Sequence, residues 1–427
     1  MNTISWFFFR LWEFWQGVRF YEPGTIKSLL EVDLYKLTML QSVWKRYRDT
    51  EITFAFKNRT KKVKLPRYIN EDKLRSRLDH VMTLRFRFWE IEYLRSLGLF
   101  SGEFLSFLST LRLANYKLVN TGDNFEISVA GKWVEVTLWE TLLLSIVNEM
   151  YYEGLMAERG ISRAEAWVNG KRRLEAKVAD IKYFGLGDII EFGNRRAFSR
   201  RWQDYVVWYM LTYAPECLVG TSNVFLAMKY GLKPIGTFAH EMFMGVYGIH
   251  RAKGSKHPAH DSQREVLEVW WTDYGQKLSI ALTDNYGSKF FFDNLSRMMA
   301  KDYRGLRHDS GDPFKFGEDA IRFYEKMLID PKEKILVFSD GLDLNTIREL
   351  TRCFKGRIGL TFGWGTNLTN DMGFEALSMV AKLVRSSGFG TVKLSDNLAK
   401  ATGEPEDIES VVAEVGYNNT DTQECRY

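Results

Sequence analysis

Cysteine is scarce in this chain. Cys217, Cys353 and Cys425 are the only three among 427 residues, and they lie far apart. An odd, sparse set excludes a disulfide framework, and no Cys-x-x-Cys pair is present to hold zinc. A reducing cytoplasm is the setting that fits. An excess of one charge is also missing: 59 Lys+Arg face 54 Asp+Glu, a net charge of +5. With no basic block of the usual length there is no footprint for nucleic acid, although a mildly positive chain suits small anionic substrates. Internal repeats and low-complexity tracts are absent. So is any apolar run long enough to span a bilayer. The most aromatic stretch, "MNTISWFFFRLWEFWQGVRF" at the N-terminus, is broken by Arg10 and Glu13. It has neither the basic start nor the small-residue cleavage site of a signal peptide. Its expected form is an amphipathic helix docked on the protein, with membrane-surface binding as the alternative.

What is present is a globular composition, 45% hydrophobic and 26% charged, in a chain long enough for two domains. Residues 1–120 show helical periodicity, as in "LLEVDLYKLTMLQSVWKRY", with a strand-like "ITFAFKNR" at Ile52–Arg59. "NFEISVAGKWVEVTLWE", Asn124–Glu140, alternates and reads as a hairpin turning at Gly131. A different rhythm follows. The runs "DIIEFGNRR", "ECLVGTSN", "KPIGTFAHE", "LSIALTDNYG", "YRGLRHDSGD", "KILVFSDGLD", "RIGLTFGWGTNL" and "LSMVAKLV" are short and apolar, several separated by helical stretches. Strand-then-helix units in series imply a parallel sheet. Their number, each with a polar cluster at its end, favours a closed α/β barrel over an open doubly wound sheet.

In a barrel, residues just past the strand ends meet on one rim, so the clusters can form one site. "LRHDSGDP" offers Arg307 for a phosphate or carboxylate, and Asp309 and Asp312 for sugar hydroxyls or Mg²⁺. The same letters also make a good helix cap. "FSDGLD" places Asp340 and Gly341 after a strand and before a helix. "FGWGTNLT" brings Gly363, Gly365 and Thr366, which could let backbone amides approach a phosphate, though the Rossmann fingerprint's third glycine is missing. "EFGNRRAF" sets Phe192 beside Arg195 and Arg196, a face and a cation for a flat acidic ring, or simply a core aromatic with surface arginines. His257 and His260 in "HRAKGSKHPAHD" have the wrong spacing for a helical metal pair, and a mobile loop beside the site is expected there. Of six histidines, His240 and His308 sit in clusters directly after strand-like runs. His240 in "PIGTFAHE" is either a core histidine or, beside Arg307 and Asp309, a nucleophile or general base.

Taken in order, "LLEVDLYKLTM", "GKWVEVTLWETLL", "EFGNRRAFS", "VGTSN", "IGTFAHE", "ALTDNYG", "YRGLRHDSGDP", "VFSDGLDL" and "TFGWGTNLT" resemble nicotinate phosphoribosyltransferases over residues 25–400. The resemblance implies an irregular α/β barrel with a second α+β domain built from the N-terminal region and the C-terminal end. The corresponding divisions are residues 1–140, 141–385 and 386–427. It implies a cytoplasmic enzyme that joins nicotinate to phosphoribosyl pyrophosphate (PRPP), coupled to ATP and Mg²⁺ through a transient phosphohistidine. The matching histidine is His240, with Glu241 beside it as its orienting group. Phe192 would stack on the pyridine ring and Tyr35 would cover the other face from the partner subunit of a homodimer with shared active sites. Arg195 and Thr221 would meet substrate, Arg307 and Asp309 would hold ribose and phosphate, and Asp340, Gly341, Gly365 and Thr366 would cradle the 5′-phosphate.

Three departures from the family pattern stand out: Asn194 and Ala197 in the "EFGNRRAF" run, Leu142 after "LWET", and Asn397–Ala399 before Lys400. The first two bear on local packing. The third bears on any contact made by the C-terminal loop. A nicotinamide- or quinolinate-using transferase, or a barrel that has lost its chemistry, are the alternative readings.

Overall fold

The computed structural model describes residues 26–418. The aromatic N-terminus and Cys425 lie outside the described residues. The described residues form eleven strands: β1 (Glu51–Asn58), β2 (Tyr116–Asn120), β3 (Phe125–Lys132), β4 (Ile189–Glu191), β5 (Leu218–Thr221), β6 (Ile280–Leu282), β7 (Gly305–His308), β8 (Ile335–Phe338), β9 (Gly359–Trp364), β10 (Met379–Ser386) and β11 (Phe389–Gly390). The helices that matter for the site are α1 (Leu34–Arg46), α2 (Trp139–Arg159), α3 (His240–Ala252), α4 (Pro258–Tyr274), α5 (Pro313–Lys326) and α6 (Leu344–Phe354).

Six strands form a parallel sheet in the order β5-β4-β9-β8-β7-β6. Its strands are short and apolar because both faces are covered; all four residues of β7 are buried. The register keeps strand ends level, with His308 opposite Phe338 and Phe338 opposite Phe362. A second, antiparallel sheet runs β11-β10-β1-β3-β2. It joins the N-terminal region to the C-terminal one, as expected for the second domain. Among the described residues no helix is long and apolar enough to cross a membrane.

Three expected elements differ. "KPIGTFAHE" is not a ladder strand; it touches β5 through one bridge, Thr221 to Pro234. Here Gly236 lies so close to α1 that a Cβ would sit 2.9 Å from the Tyr35 amide nitrogen, leaving the segment pressed against a helix rather than a strand. "LSMVAKLV" becomes β10, antiparallel to β1, with Phe54 opposite Leu383. Lys382 and Arg385 on β10 are ill suited to a strand buried on both faces, but fit a sheet with one open side. The hairpin turns at Gly122 (φ +82°) between β2 and β3, not at Gly131. After β3 the chain coils, because Trp133 must reach α3: a Cβ on Gly245 would lie 2.1 Å from the Trp133 ring.

That contact fixes α3. Ser386 Oγ donates to the Gly245 carbonyl at 2.7 Å, and Gly248 packs directly on Ser386. A second small apolar cluster, Tyr247, Ala259, Tyr286, Val392, Leu394 and Val411, docks the C-terminal segment on the same helix and on α4. The N-terminal residue of α3, His240, is thereby held between the two sheets.

Candidate active site

The rim of the parallel sheet converges on one pocket. Phe192, Gly193 and Arg195 follow β4, Ser222 follows β5, Arg307 and Asp309 end β7, and Asp340 and Gly341 follow β8. Gly365 and Thr366 follow β9. The opposite wall carries Tyr35, Arg59, Lys382, Lys393 and Lys400. Local sequence explains the rim. Gly341 turns with φ +56°, and Asp343 then caps α6 by accepting from the Thr346 amide at 2.7 Å. Gly311 turns with φ +80°, and Asp312 caps α5, accepting from the amides of Phe314 (2.8 Å) and Lys315 (3.3 Å). Of the two acids in "HDSGD", Asp309 therefore faces the pocket and Asp312 serves the helix.

His240 lies 6% exposed, with Nε2 2.7 Å from Asp284 Oδ1. A carboxylate only accepts, so Nε2 carries the proton and Nδ1 keeps its lone pair. No described residue hydrogen-bonds Nδ1. Burial first, then the ammonium of Lys393, pushes the imidazole pKa down to about 4, against the pull of Asp284. The ring is neutral and nucleophilic at neutral pH. Asp284 is itself fixed by Ser310 Oγ (2.5 Å), Ser395 Oγ (3.1 Å) and Lys393 Nζ (3.7 Å). Asp309 Oδ2 lies 3.8 Å from the same imidazole nitrogen. Burial would raise its carboxyl, but Arg307 and His240 hold it at about 2. His240, Asp284 and Asp309 place ligand atoms within 4.8 Å of one another. Two carboxylates in that arrangement are hard donors that fit Mg²⁺.

Two expected roles are corrected by hydrogen bonding. Glu241 does not orient His240. Its carboxylate accepts from Trp133 Nε1 (2.6 Å) and Thr137 Oγ1 (2.7 Å), and pairs with the fully buried Lys36. Lys36 also meets Glu140 at 2.6 Å, and Glu140 meets Arg195 at 3.3 Å. Burial opposes ionisation of Glu140, yet Lys36 and then Arg195 hold it at about 2. The orienting carboxylate is Asp284, whose place just past β6 was open to the same strand-end reasoning. Thr221 is wholly buried and absent from the pocket wall, because its hydroxyl donates to Glu191 at 2.5 Å.

Tyr35 is a third correction. It reaches the pocket from the same chain as Phe192, with the Arg195 guanidinium 5.9 Å from its ring centroid. The start of α1 is tied to the end of β5: Leu34 N donates to Ser222 O (2.8 Å) and Ser222 Oγ to Asp33 (2.6 Å). No partner subunit is needed to supply this ring. Among the described residues the Tyr35 hydroxyl and Arg307 Nε are both buried without a hydrogen-bond partner, as donors reserved for a ligand would be.

His308 is buried at the end of β7 against Phe316 and Phe338, outside the pocket. His257 and His260 flank the start of α4, and the His260 amide donates to Glu414. That segment is a short link between helices packed toward the C-terminal helix, not a loop beside the site. The departures are absorbed: Asn194 Oδ1 accepts from Asn223 (2.9 Å), the Ala197 carbonyl accepts from Asn148 (2.7 Å), and Leu142 is wholly buried. Asn397 caps a turn that delivers Lys400 to Asp340. Lys382, Lys393 and Arg59 gave no warning in the sequence, since none follows a strand of the parallel sheet.

A family model described as the nicotinate phosphoribosyltransferase (NAPRTase) family matches residues 188–421, and one for its N-terminal domain matches residues 30–148. The chain belongs to this family. The nicotinate phosphoribosyltransferase of Ralstonia pickettii (strain 12J) is 38% identical over 379 residues, 87% of this chain and 94% of the relative. That of Ralstonia nicotianae is 37% identical over 378 residues, with the same shares covered. The crystal structure of the Vibrio cholerae nicotinate phosphoribosyltransferase superposes with a TM-score of 0.85 at 32% identity, over 93% of this chain and 95% of that one. The Porphyromonas gingivalis structure gives 0.83 at 32% identity, over 92% and 100%. Members of this family are enzymes, and the α/β architecture with its separate antiparallel sheet is theirs.

Proposed function

We propose that this chain makes nicotinate mononucleotide from nicotinate and PRPP, and that ATP hydrolysis is coupled to the reaction through phosphorylation of His240. The carrying observation is the neutral, Asp284-oriented imidazole at the head of α3, facing a pocket rich in cations. Nδ1 attacks the γ-phosphorus of ATP; the N–P bond forms, the bond to the ADP oxygen breaks, and water later releases phosphate. Asp284 holds the ring through Nε2–H and balances charge that develops on it.

Phe192 and Tyr35 offer aromatic surface to the pyridine, and Arg195 offers a guanidinium to its carboxylate. Asp309 and Arg307 would take the ribose and phosphate of PRPP. Backbone amides at Gly341, Gly365 and Thr366 suit the 5′-phosphate, with Asp340 held beside them by Lys400. Mg²⁺, when bound at Asp284 and Asp309, supplies charge neutralisation for the phosphates. A ribosyl oxocarbenium transition state needs positioning and charge, which is what these groups provide.

The test is incubation with γ-labelled ATP and Mg²⁺, then peptide mapping. Acid-labile label on the His240 peptide, discharged by nicotinate and PRPP but not by nicotinamide and PRPP, is the expected result. Product formation without label would remove the phosphohistidine from the reading. Neither label nor product would overturn it.

A further inference from the structure

Arg195 is the cation offered to the pyridine carboxylate, yet burial does not hold it in place. Its side chain is 43% exposed, and two acids compete for it. Glu140 Oε1 accepts from Nη1 at 3.3 Å, while Asp33 Oδ2 lies 4.0 Å from Nε. Among the described residues the guanidinium makes no other hydrogen bond. All three side chains line the pocket, as does Tyr35, whose ring centroid lies 5.9 Å from the guanidinium.

The two acids are not equivalent. Asp33 is satisfied without Arg195: Ser222 Oγ donates to Oδ1 at 2.6 Å, and Thr141 Oγ1 to Oδ2 at 3.4 Å. Glu140 sits in the first turn of α2, buried, with its second oxygen 2.6 Å from Lys36 Nζ. Lys36 is wholly buried and is pinned in turn by Glu241 at the head of α3. Glu140 is therefore a carboxylate fixed from behind, and a fixed carboxylate can hold an exposed guanidinium at one angle. The Lys36 ammonium also offsets the repulsion that Glu140 would direct at an incoming anion. Donors on the remaining guanidinium nitrogens stay available to a ligand carboxylate.

We propose that Glu140 is a positioning residue: it holds the Arg195 guanidinium beside Tyr35 and off Asp33, and so sets the preference for a pyridine acid over an uncharged pyridine. This deepens the proposed function and rests on the assignment of Arg195 to the nicotinate carboxylate. Glu140→Gln isolates the role. A carboxamide has one acceptor oxygen where the carboxylate has two. The buried Lys36 ammonium takes that oxygen, which turns the amide N–H groups toward Arg195. The guanidinium is then driven to Asp33, its remaining acid, and away from the ring. Lys36 keeps Glu241, so no buried cation loses its last partner.

The test is steady-state kinetics of the full chain with nicotinate and PRPP, using nicotinamide as a competitor. Glu140→Gln is expected to raise the nicotinate KM about tenfold, with kcat and the PRPP KM changed less than about twofold. The inhibition constant of nicotinamide, the same ring without the charge, is expected to stay within about twofold of wild type. The preference for the acid then falls about tenfold, a change that a merely structural role would not give. Equal losses for nicotinate and nicotinamide, a matching rise in the PRPP KM, or an unchanged nicotinate KM would each overturn the proposal. If Glu140→Gln fails to fold, Glu140→Asp decides. It keeps a charge for Lys36 but withdraws the carboxylate by one methylene, and a selective loss of about threefold or more is expected. If the wild type makes no nicotinate mononucleotide, the proposed function falls. Calorimetric binding of nicotinate to wild type and Glu140→Gln then still judges the anchor: an affinity ratio near one, or no binding by the wild type, overturns it.

Discussion

The two walls of the pocket follow opposite electrostatic plans. On the parallel-sheet rim, acids and bases are matched: Asp284 fixes His240, Arg307 depresses Asp309, and Glu140 binds Arg195. On the antiparallel-sheet wall, Lys382 and Arg59 face the cavity with no carboxylate at ion-pair distance among the described residues. The rim is organised before any ligand arrives, as groups that position reacting atoms must be. An anionic ligand would balance the charge that the wall presents.

The largest expected effect comes from the ionic cluster that ties the walls together. Lys36 is fully buried between Glu140 and Glu241. Removing it in Lys36→Met leaves buried Glu241 without its cation and Glu140 with Arg195 alone. The expected loss is about 3–5 kcal/mol of stability, read from the urea midpoint at constant slope. A loss below about 1 kcal/mol would mean that water already reaches the cluster, and the walls would then be less rigidly joined than described.

Next in size is Asp284→Asn. The amide keeps the shape but can present an N–H to Nε2, which would turn the imidazole to the wrong tautomer. Phosphorylation of His240 is expected to fall about a hundredfold, with the fold intact. The matching change on Glu241, Glu241→Gln, is expected to lower stability rather than selectively slow labelling. If Glu241→Gln slows labelling as much as Asp284→Asn while melting normally, the roles assigned to these two acids are reversed.

The same division explains what could be read from the chain. Strand-end residues such as Phe192, Arg307, Asp309 and Asp340 share the pocket because a parallel sheet levels its strand ends, a rule that acts on local sequence. Asp284 obeys it too, in "ALTDNYG". Elements governed by long-range contact were harder. "KWVEV" alternates like a strand, yet it coils because Trp133 fits Gly245, more than a hundred residues on. "LSMVAKLV" looked like another barrel strand until its lysine is given an open side of a sheet. Glu241 stood next to the right histidine, but neighbours on a helix point about 100° apart, and its partners came from α1 and the Trp133 turn. No local pattern marks Lys382 or Arg59 as pocket residues.

A smaller effect probes how tightly the rim is packed. A Cβ on Gly363 would lie 2.4 Å from Phe192 Cδ2 and 3.1 Å from Ser339 Cβ. Gly363→Ala must therefore move the Phe192 ring. The nicotinate KM is expected to rise about tenfold, the order of a modest overpacking cost, with a much smaller change in PRPP KM. Equal changes in both would show that the rim shifts as one body and that Phe192 is not a separate ring platform.

The smallest effect separates two acids three residues apart. Asp309 faces the pocket, whereas Asp312 accepts from the first amides of α5. Asp312→Ala is expected to cost about 1 kcal/mol of stability, the usual loss for an N-cap, and to leave kcat and both KM values unchanged. Asp309→Ala should do the reverse, raising the PRPP KM with little effect on the melting temperature. The opposite split is due to backbone direction alone: Gly311, at φ +80°, turns the chain between them, so that one carboxylate ends a strand and the other begins a helix. Loss of activity in Asp312→Ala without loss of stability would place that carboxylate in the chemistry and break the distinction between a rim that reacts and a turn that supports it.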